Sequence, residues 1–211
     1  MRIVSHRGFW KAPSEKNSFA AFHRAVELGV GIETDVRDHL GELVISHDLP
    51  QPSKPVSRLR ELLAMCEDAG ATGTLALNIK ADGLQSELCE MLSSFARVDA
   101  FVFDMSIPDS IGYRDRQIPF FTRQSEFERE CCLYEAADGV WLDAFERDWY
   151  DIDLIEAHLR CGKKVCIVSP ELHGREPAGL WKRLRSSSLV DSDSLLLCTD
   201  FPDQAMNAFD N

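Results

Sequence analysis

The chain has 211 residues, 45% of them hydrophobic and 27% charged, with a formal net charge of −12. That length suits a single domain around one substantial core, and no apolar run approaches the about 20 residues needed to cross a bilayer, so no transmembrane segment is expected. So acidic a surface repels a nucleic-acid backbone, and no Lys/Arg run with interleaved aromatics offsets it, so nucleic acid is not expected as a partner.

Short apolar, β-branched runs recur along the chain, separated by stretches of helical periodicity, which is the pattern of repeated βα units. The expected strands are Arg2 to Ser5, Gly31 to Val36, Thr74 to Lys80, Ala100 to Met105, Pro119 to Thr122, Gly139 to Leu142, Lys164 to Val168 and Leu195 to Thr199. Helices are expected over Ser18 to Leu28, Leu59 to Ala69, Gln85 to Phe95, Glu126 to Ala137, Tyr150 to Cys161 and Gly179 to Arg185. The unit around Asp109 to Asp115 is the thinnest. Eight strands alternating with helices is the arithmetic of a (β/α)8 TIM barrel, here an α/β single domain with short loops. An open doubly wound sheet fits less well, because Gly8 stands alone where a Gly-rich nucleotide turn would follow the first strand. Leu40 to Ile45 reads as a turn and an extra strand that returns His47 to the barrel mouth, followed by a Pro-punctuated connection over Gln51 to Pro55.

Met1 to Trp10 already carries His6 and Arg7 in a strand-like context, which leaves no room for an export signal. The seven cysteines are scattered and lack Cys-x-x-Cys spacing. They read as buried thiols of a reducing, cytoplasmic protein, with Cys131 and Cys132 in the core of a helix.

In a parallel barrel, side chains at the C-terminal ends of strands gather at one face. Val4-Ser5-His6-Arg7-Gly8, Gly31-Ile32-Glu33-Thr34-Asp35-Val36, Ile45-Ser46-His47-Asp48 and Asn78-Ile79-Lys80 supply it with ionisable groups. Glu33 and Asp35 share a strand face, and two carboxylates so close need a cation or a shared proton between them. A divalent cation held by Glu33, Asp35 and the amide oxygen of Asn78 would be Mg²⁺ or Ca²⁺ rather than zinc, given oxygen-only ligation; salt bridges to Arg37 or Lys80 at a solvated strand end are the alternative. His6 and His47 reach the same mouth from different segments and suit a general acid and base pair. Arg7 can hold phosphate oxygens as a fork and Lys80 as a point charge. His173 and Arg175, in a late βα loop, are candidates for substrate contact, whereas His23, His39 and His158 read as surface or packed residues.

The segments His6-Arg7-Gly8, Glu15-Lys16-Asn17-Ser18-Phe19-Ala20-Ala21-Phe22, Glu33-Thr34-Asp35-Val36, His47-Asp48, Asn78-Ile79-Lys80 and Thr199-Asp200-Phe201-Pro202 come in the order of a known family. The chain resembles the glycerophosphodiester phosphodiesterases, of the superfamily that includes phosphatidylinositol-specific phospholipases C and sphingomyelinase D-like toxins. The resemblance implies a metal-dependent phosphodiesterase on a barrel, acting on a small-molecule phosphodiester in lipid metabolism. It implies His6 and His47 as acid and base, Arg7 at the phosphate, and Glu33 and Asp35 as ligands. Three departures stand out. The family's third-strand Glu-x-Lys is Asn78-Ile79-Lys80, the insertion after His47 is reduced to a short loop, and Ile167 to Glu176 carries its own polar cluster in place of an aromatic pattern. The first removes one negative charge from the metal shell. Two other classes fit the same residues: a binding or regulatory barrel that lost turnover through Asn78, and a lyase or aldolase using Lys80 as an amine nucleophile. The pattern leaves the oligomeric state open.

Overall fold

The computed structural model describes residues 1–51, 55–70 and 73–209. In chain order the strands are β1 (Arg2–His6), β2 (Gly31–His39), β3 (Glu42–Ile45), β4 (Ser57–Arg58), β5 (Leu75–Ile79), β6 (Ala100–Phe103), β7 (Phe121–Gln124), β8 (Gly139–Leu142), β9 (Lys164–Val168) and β10 (Leu195–Thr199). The helices are α1 (Phe19–Leu28), α2 (Leu59–Asp68), α3 (Gln85–Ser94), α4 (Ile107–Asp115), α5 (Ile152–Arg160), α6 (Ala178–Arg185) and α7 (Pro202–Phe209). Strand β1 pairs in parallel with both β10 and β2, β2 with β5, and β5 with β6, while β7, β8, β9 and β10 form a second parallel run. One parallel bridge, Val102 to Phe120, with the Val102 amide donating to the Pro119 carbonyl at 2.9 Å, joins β6 to β7 and closes the ring. The result is a (β/α)8 barrel. Strand β2 runs on past the ring, where β3 and then β4 add to it antiparallel.

Alternation along the strands sorts the core into two shells. Val4, Ala76, Phe101, Phe103, Phe121, Trp141, Cys166, Val168, Leu196 and Cys198 fill the ring. Their neighbours in sequence, such as Ile3, Leu75, Leu77, Val140, Val165 and Leu197, pack outward under the helices. Inside, large rings crowd one side: Phe101 stacks on Phe121 at 3.7 Å and Phe103 on Trp141 at 3.8 Å. Toward β2 the wall is small, with Ala76 paired beside Phe101 and Gly31 on β2 itself. A Cβ on Gly31 would lie 2.5 Å from the Thr74 carbonyl oxygen, so only glycine fits there.

The structure corrects three expectations. No helix forms over Glu126 to Ala137, which runs as turns, so it is this unit that is thin, whereas α4 is well formed. Ser125 Oγ accepts from the amides of Phe127 and Glu128 at 3.2 and 3.1 Å, and Leu133 adopts φ 56°, so side-chain bonds and a left-handed residue replace the helical ladder. The thiols are not uniformly buried: Cys66, Cys166 and Cys198 are, Cys89 and Cys131 are half-buried, and Cys132 and Cys161 are exposed. His39 ends β2, and His158 is buried between Tyr134 and Gln124. Of the connection over Gln51 to Pro55, residues 52–54 lie outside the described residues. Among the described residues, no helix is long and apolar enough to cross a membrane.

Candidate active site

The first two strands deliver the charged residues together because their ends are locked by backbone bonds. Arg7 and Gly8 follow β1 with φ of 58° and 82°, and a Cβ on Gly8 would meet that of Ala21 at 2.9 Å, so this turn needs glycine to seat α1 beside it. The Arg7 amide donates to the Glu33 carbonyl at 2.9 Å and lies 3.2 Å from Glu33 Oε2, while the Asn17 amide donates to the Arg7 carbonyl at 3.0 Å. Glu33 and Asp35 point inward from β2. The β5 register sets Asn78 opposite Asp35, and Lys80 follows one step beyond the strand.

Asp35 is completely buried and surrounded by donors: Arg7 Nε at 3.0 Å, Lys80 Nζ at 3.3 Å and Asn17 Nδ2 at 2.8 Å. Thr34 Oγ1 donates to Asn17 Oδ1 at 2.8 Å, which turns the amide so that its NH₂ faces Asp35. Glu33, 2% exposed, is poorer in compensation. Burial, with the charge of Asp35, pushes its carboxyl up to about 7 against the pull of His6, Arg7 and Lys80.

His6 Nδ1 lies 2.7 Å from Asp200 Oδ1, and Nε2 lies 3.9 Å from Glu33 Oε2. Burial raises the Asp200 carboxyl, but the hydrogen bond and charge of His6, with Lys16, outweigh it and hold it below the ordinary value. Asp200 is therefore an ionised acceptor, Nδ1 carries the proton it accepts, and Nε2 is left to the mouth. Glu171 braces this pair from the loop after β9: its Oε1 accepts from the Asp200 amide at 3.1 Å and from the Thr199 hydroxyl, and its Oε2 from Ser169 Oγ at 2.5 Å. Sequence reasoning assigned no role to Asp200, Asn17 or Glu171. The Thr199-Asp200 step at the end of the last strand is the signal that marks the first.

His47 is about half exposed, its Nδ1 2.8 Å from Asp48 Oδ1. It lines a cleft of about 370 Å³ together with Arg7, Lys16 and Asn17. The Ser46 amide donates to the Asp35 carbonyl at 3.0 Å and ties that cleft to the buried acids. His173 and Arg175 stand apart, around the end of β8. His173 Nε2 lies 2.7 Å from Asp143 Oδ1, and Arg175 is spent on Asp148 at 2.8 Å and the Ala144 carbonyl at 2.6 Å.

The donor set fits a hard divalent cation. Asn78 Oδ1 is buried and has no hydrogen-bond partner, and Asp35 Oδ1, opposite it on the β2 and β5 ladder, is met only by the Lys80 ammonium at 3.3 Å. Glu33 adds a carboxylate whose proton affinity burial has raised. Among the described residues no three His, Cys, Asp or Glu side chains are gathered for a metal, so the Asn78 amide is needed to complete such a set.

No protein-family model matches the chain, and no curated protein matches it. Solved structures do. A phosphodiesterase of Oleispira antarctica, in complex with the product sn-glycerol-3-phosphate, superposes with a TM-score of 0.72 at 17% identity, covering 100% of this chain and 97% of its own. Glycerophosphodiester phosphodiesterases of Agrobacterium tumefaciens and Parabacteroides distasonis each give 0.67, at 18% and 15% identity. They cover 98% and 99% of this chain, and 99% and 96% of their own. The barrel architecture of the whole chain is thus that of these enzymes.

Proposed function

We propose that residues 1–211 form one TIM-barrel domain that hydrolyses a small phosphodiester, of the glycerophosphodiester or sugar and alcohol phosphodiester kind. The observation that carries this reading is the Asp200, His6 and Glu33 array beside Arg7 and Lys80, at the C-terminal face of a barrel shared with phosphodiesterases. Asp200 holds His6 in one tautomer, so that Nε2 exchanges a proton with an oxygen on phosphorus. His47 serves the oxygen on the opposite side, from the wall of the cleft that Arg7 also lines. Arg7, steadied by Asp35, binds phosphoryl oxygens, and Lys80 adds positive charge beside them.

Glu33, Asp35 and Asn78 would hold a Mg²⁺ or Ca²⁺ ion, which when bound supplies charge stabilisation at the phosphoryl oxygens. The cytoplasm, and a place in lipid metabolism, belong to the same reading. In this reading His173 meets the alcohol of the substrate, and Arg175 contributes by fixing the loop.

A second reading, a phosphodiester-binding or regulatory barrel, is favoured by one observation: Asn78 leaves the site one carboxylate short of the family pattern. The Lys80 nucleophile is disfavoured, since that ammonium is ion-paired with Asp35 at 3.3 Å. The test is a screen of glycerophosphodiesters, sugar phosphodiesters and cyclic phosphates with several divalent ions, before and after chelation. Metal-stimulated release of a phosphomonoester supports hydrolysis by water, and a cyclic phosphate supports attack by a neighbouring hydroxyl of the substrate. Tight binding with no turnover selects the regulatory barrel.

A further inference from the structure

The loops after β7, β8 and β9 are tied into one rigid rim that the reaction at phosphorus does not use. Glu126, after β7, accepts from the amides of Phe145, Glu146 and Arg147 at 3.0, 2.6 and 3.4 Å, which seats the loop after β8. Arg175, after β9, clamps that same loop through Asp148 and the Ala144 carbonyl. At the centre sits the half-buried Phe145. Its ring lies 4.8 Å from His173 and 6.1 Å from Phe127, which is 66% exposed, so aromatic surface runs out from the mouth to solvent.

The polar groups flanking this strip come as hydrogen-bonded couples. On one side Arg123 pairs with Asp104, with its guanidinium carbon 5.8 Å from the Phe145 ring. On the other His173 pairs with Asp143, which also accepts from the Ala144 amide at 2.8 Å. Each couple offers donors and acceptors, and neither leaves an unpaired cation. A second phosphate would need an uncompensated cation here, and a quaternary amine would need an aromatic face free of cations, whereas Arg123 already approaches Phe145. A neutral ring that is apolar on its faces and ringed with hydroxyls matches both features, stacking on the aromatics while its hydroxyls meet the paired side chains.

We infer that this rim is a saccharide subsite, in which Phe127 and Phe145 carry the sugar ring of the substrate alcohol and the Arg123–Asp104 and His173–Asp143 couples bind its hydroxyls. The link to a glycosyl phosphodiester rests on the phosphodiesterase reading; the sugar site itself does not. Two measurements keep them separate.

Saturation-transfer NMR with methyl hexopyranosides reads the subsite without any turnover. Transfer to the ring protons is expected, reduced severalfold in Phe127→Ala, whose exposed side chain leaves the fold intact, and in Phe145→Ala. No transfer from any of the hexosides, or transfer unchanged in both variants, overturns the inference. Kinetics then compare a hexosyl glycerophosphodiester with glycerophosphoethanolamine. A kcat/KM preference of about tenfold for the hexosyl diester, collapsing in Phe127→Ala, supports it. Equal turnover of both diesters with no hexoside bound overturns the subsite and leaves the phosphodiesterase. Hexoside binding with neither diester hydrolysed does the reverse.

Discussion

On the β1, β2 and β5 side of the mouth, buried oxygens of Asp35 and Asn78 lack hydrogen-bond partners and burial drives Glu33 toward its protonated form; on the β6 to β9 side, Asp104 and Asp143 are each hydrogen-bonded to a side chain, Arg123 and His173. One half stores an electrostatic demand that a cation and a phosphate can meet. The other pairs its carboxylates with Arg123 and His173 and offers shape and hydroxyl-matching chemistry. Unpaired buried polar atoms are costly, and at the mouth a ligand can complete those of Asp35 and Asn78.

Substitutions on the demanding half should have the largest effects. His6→Ala should lower kcat for a hydrolysed diester by about 10²–10⁴-fold, the range for a general acid or base, with an unchanged far-UV spectrum. Full activity would remove His6 from the reaction. Asp35→Asn strips the counter-charge from Arg7 and Lys80 and should cost about 3–5 kcal/mol in urea unfolding. A loss below 1 kcal/mol would mean that water, not Asp35, compensates those cations. Asn78→Glu should tighten Mg²⁺ or Ca²⁺ binding by about tenfold in calorimetry, because a carboxylate replaces an amide oxygen. Unchanged affinity would put residue 78 outside the ligand shell.

The smallest effect is expected behind the quiet half. His158 donates and accepts between Tyr134 and Gln124, and burial lowers its pKa from 6.5. The unfolded chain then takes up the proton first as pH falls, so the stability His158 contributes is complete above about 6.5 and is lost below it. His158→Gln should flatten that part of the urea-midpoint profile between pH 7.5 and 5.5. An identical profile in the variant would show that other groups set the slope.

How much of this could be read from residues alone follows the range of the interactions. His6 and Arg7 were legible because they stand at the end of a short strand, and Glu33 and Asp35 because period-two alternation puts them on one face of β2. Lys80 and Asn78 followed by the same rule on β5. Asp200 as the partner of His6 was not legible, since 194 positions separate them and only the pairing of β10 with β1 brings Thr199 level with Ser5. The segment from Glu126 to Ala137 misled for a related reason: its periodicity is helical, but the Glu126 carboxylate is committed to amides about twenty positions later. Local propensity loses there to a bond it has no means of seeing.

The joint between β6 and β7 has a consequence for how the ring comes apart. Elsewhere neighbouring strands share ladders, whereas here one bridge and the stacked faces of Phe101 and Phe121 keep the wall shut. Deuterium should enter the amides flanking Val102 and Phe121 ahead of those on β1 and β2, because the cylinder unzips from its least stitched edge.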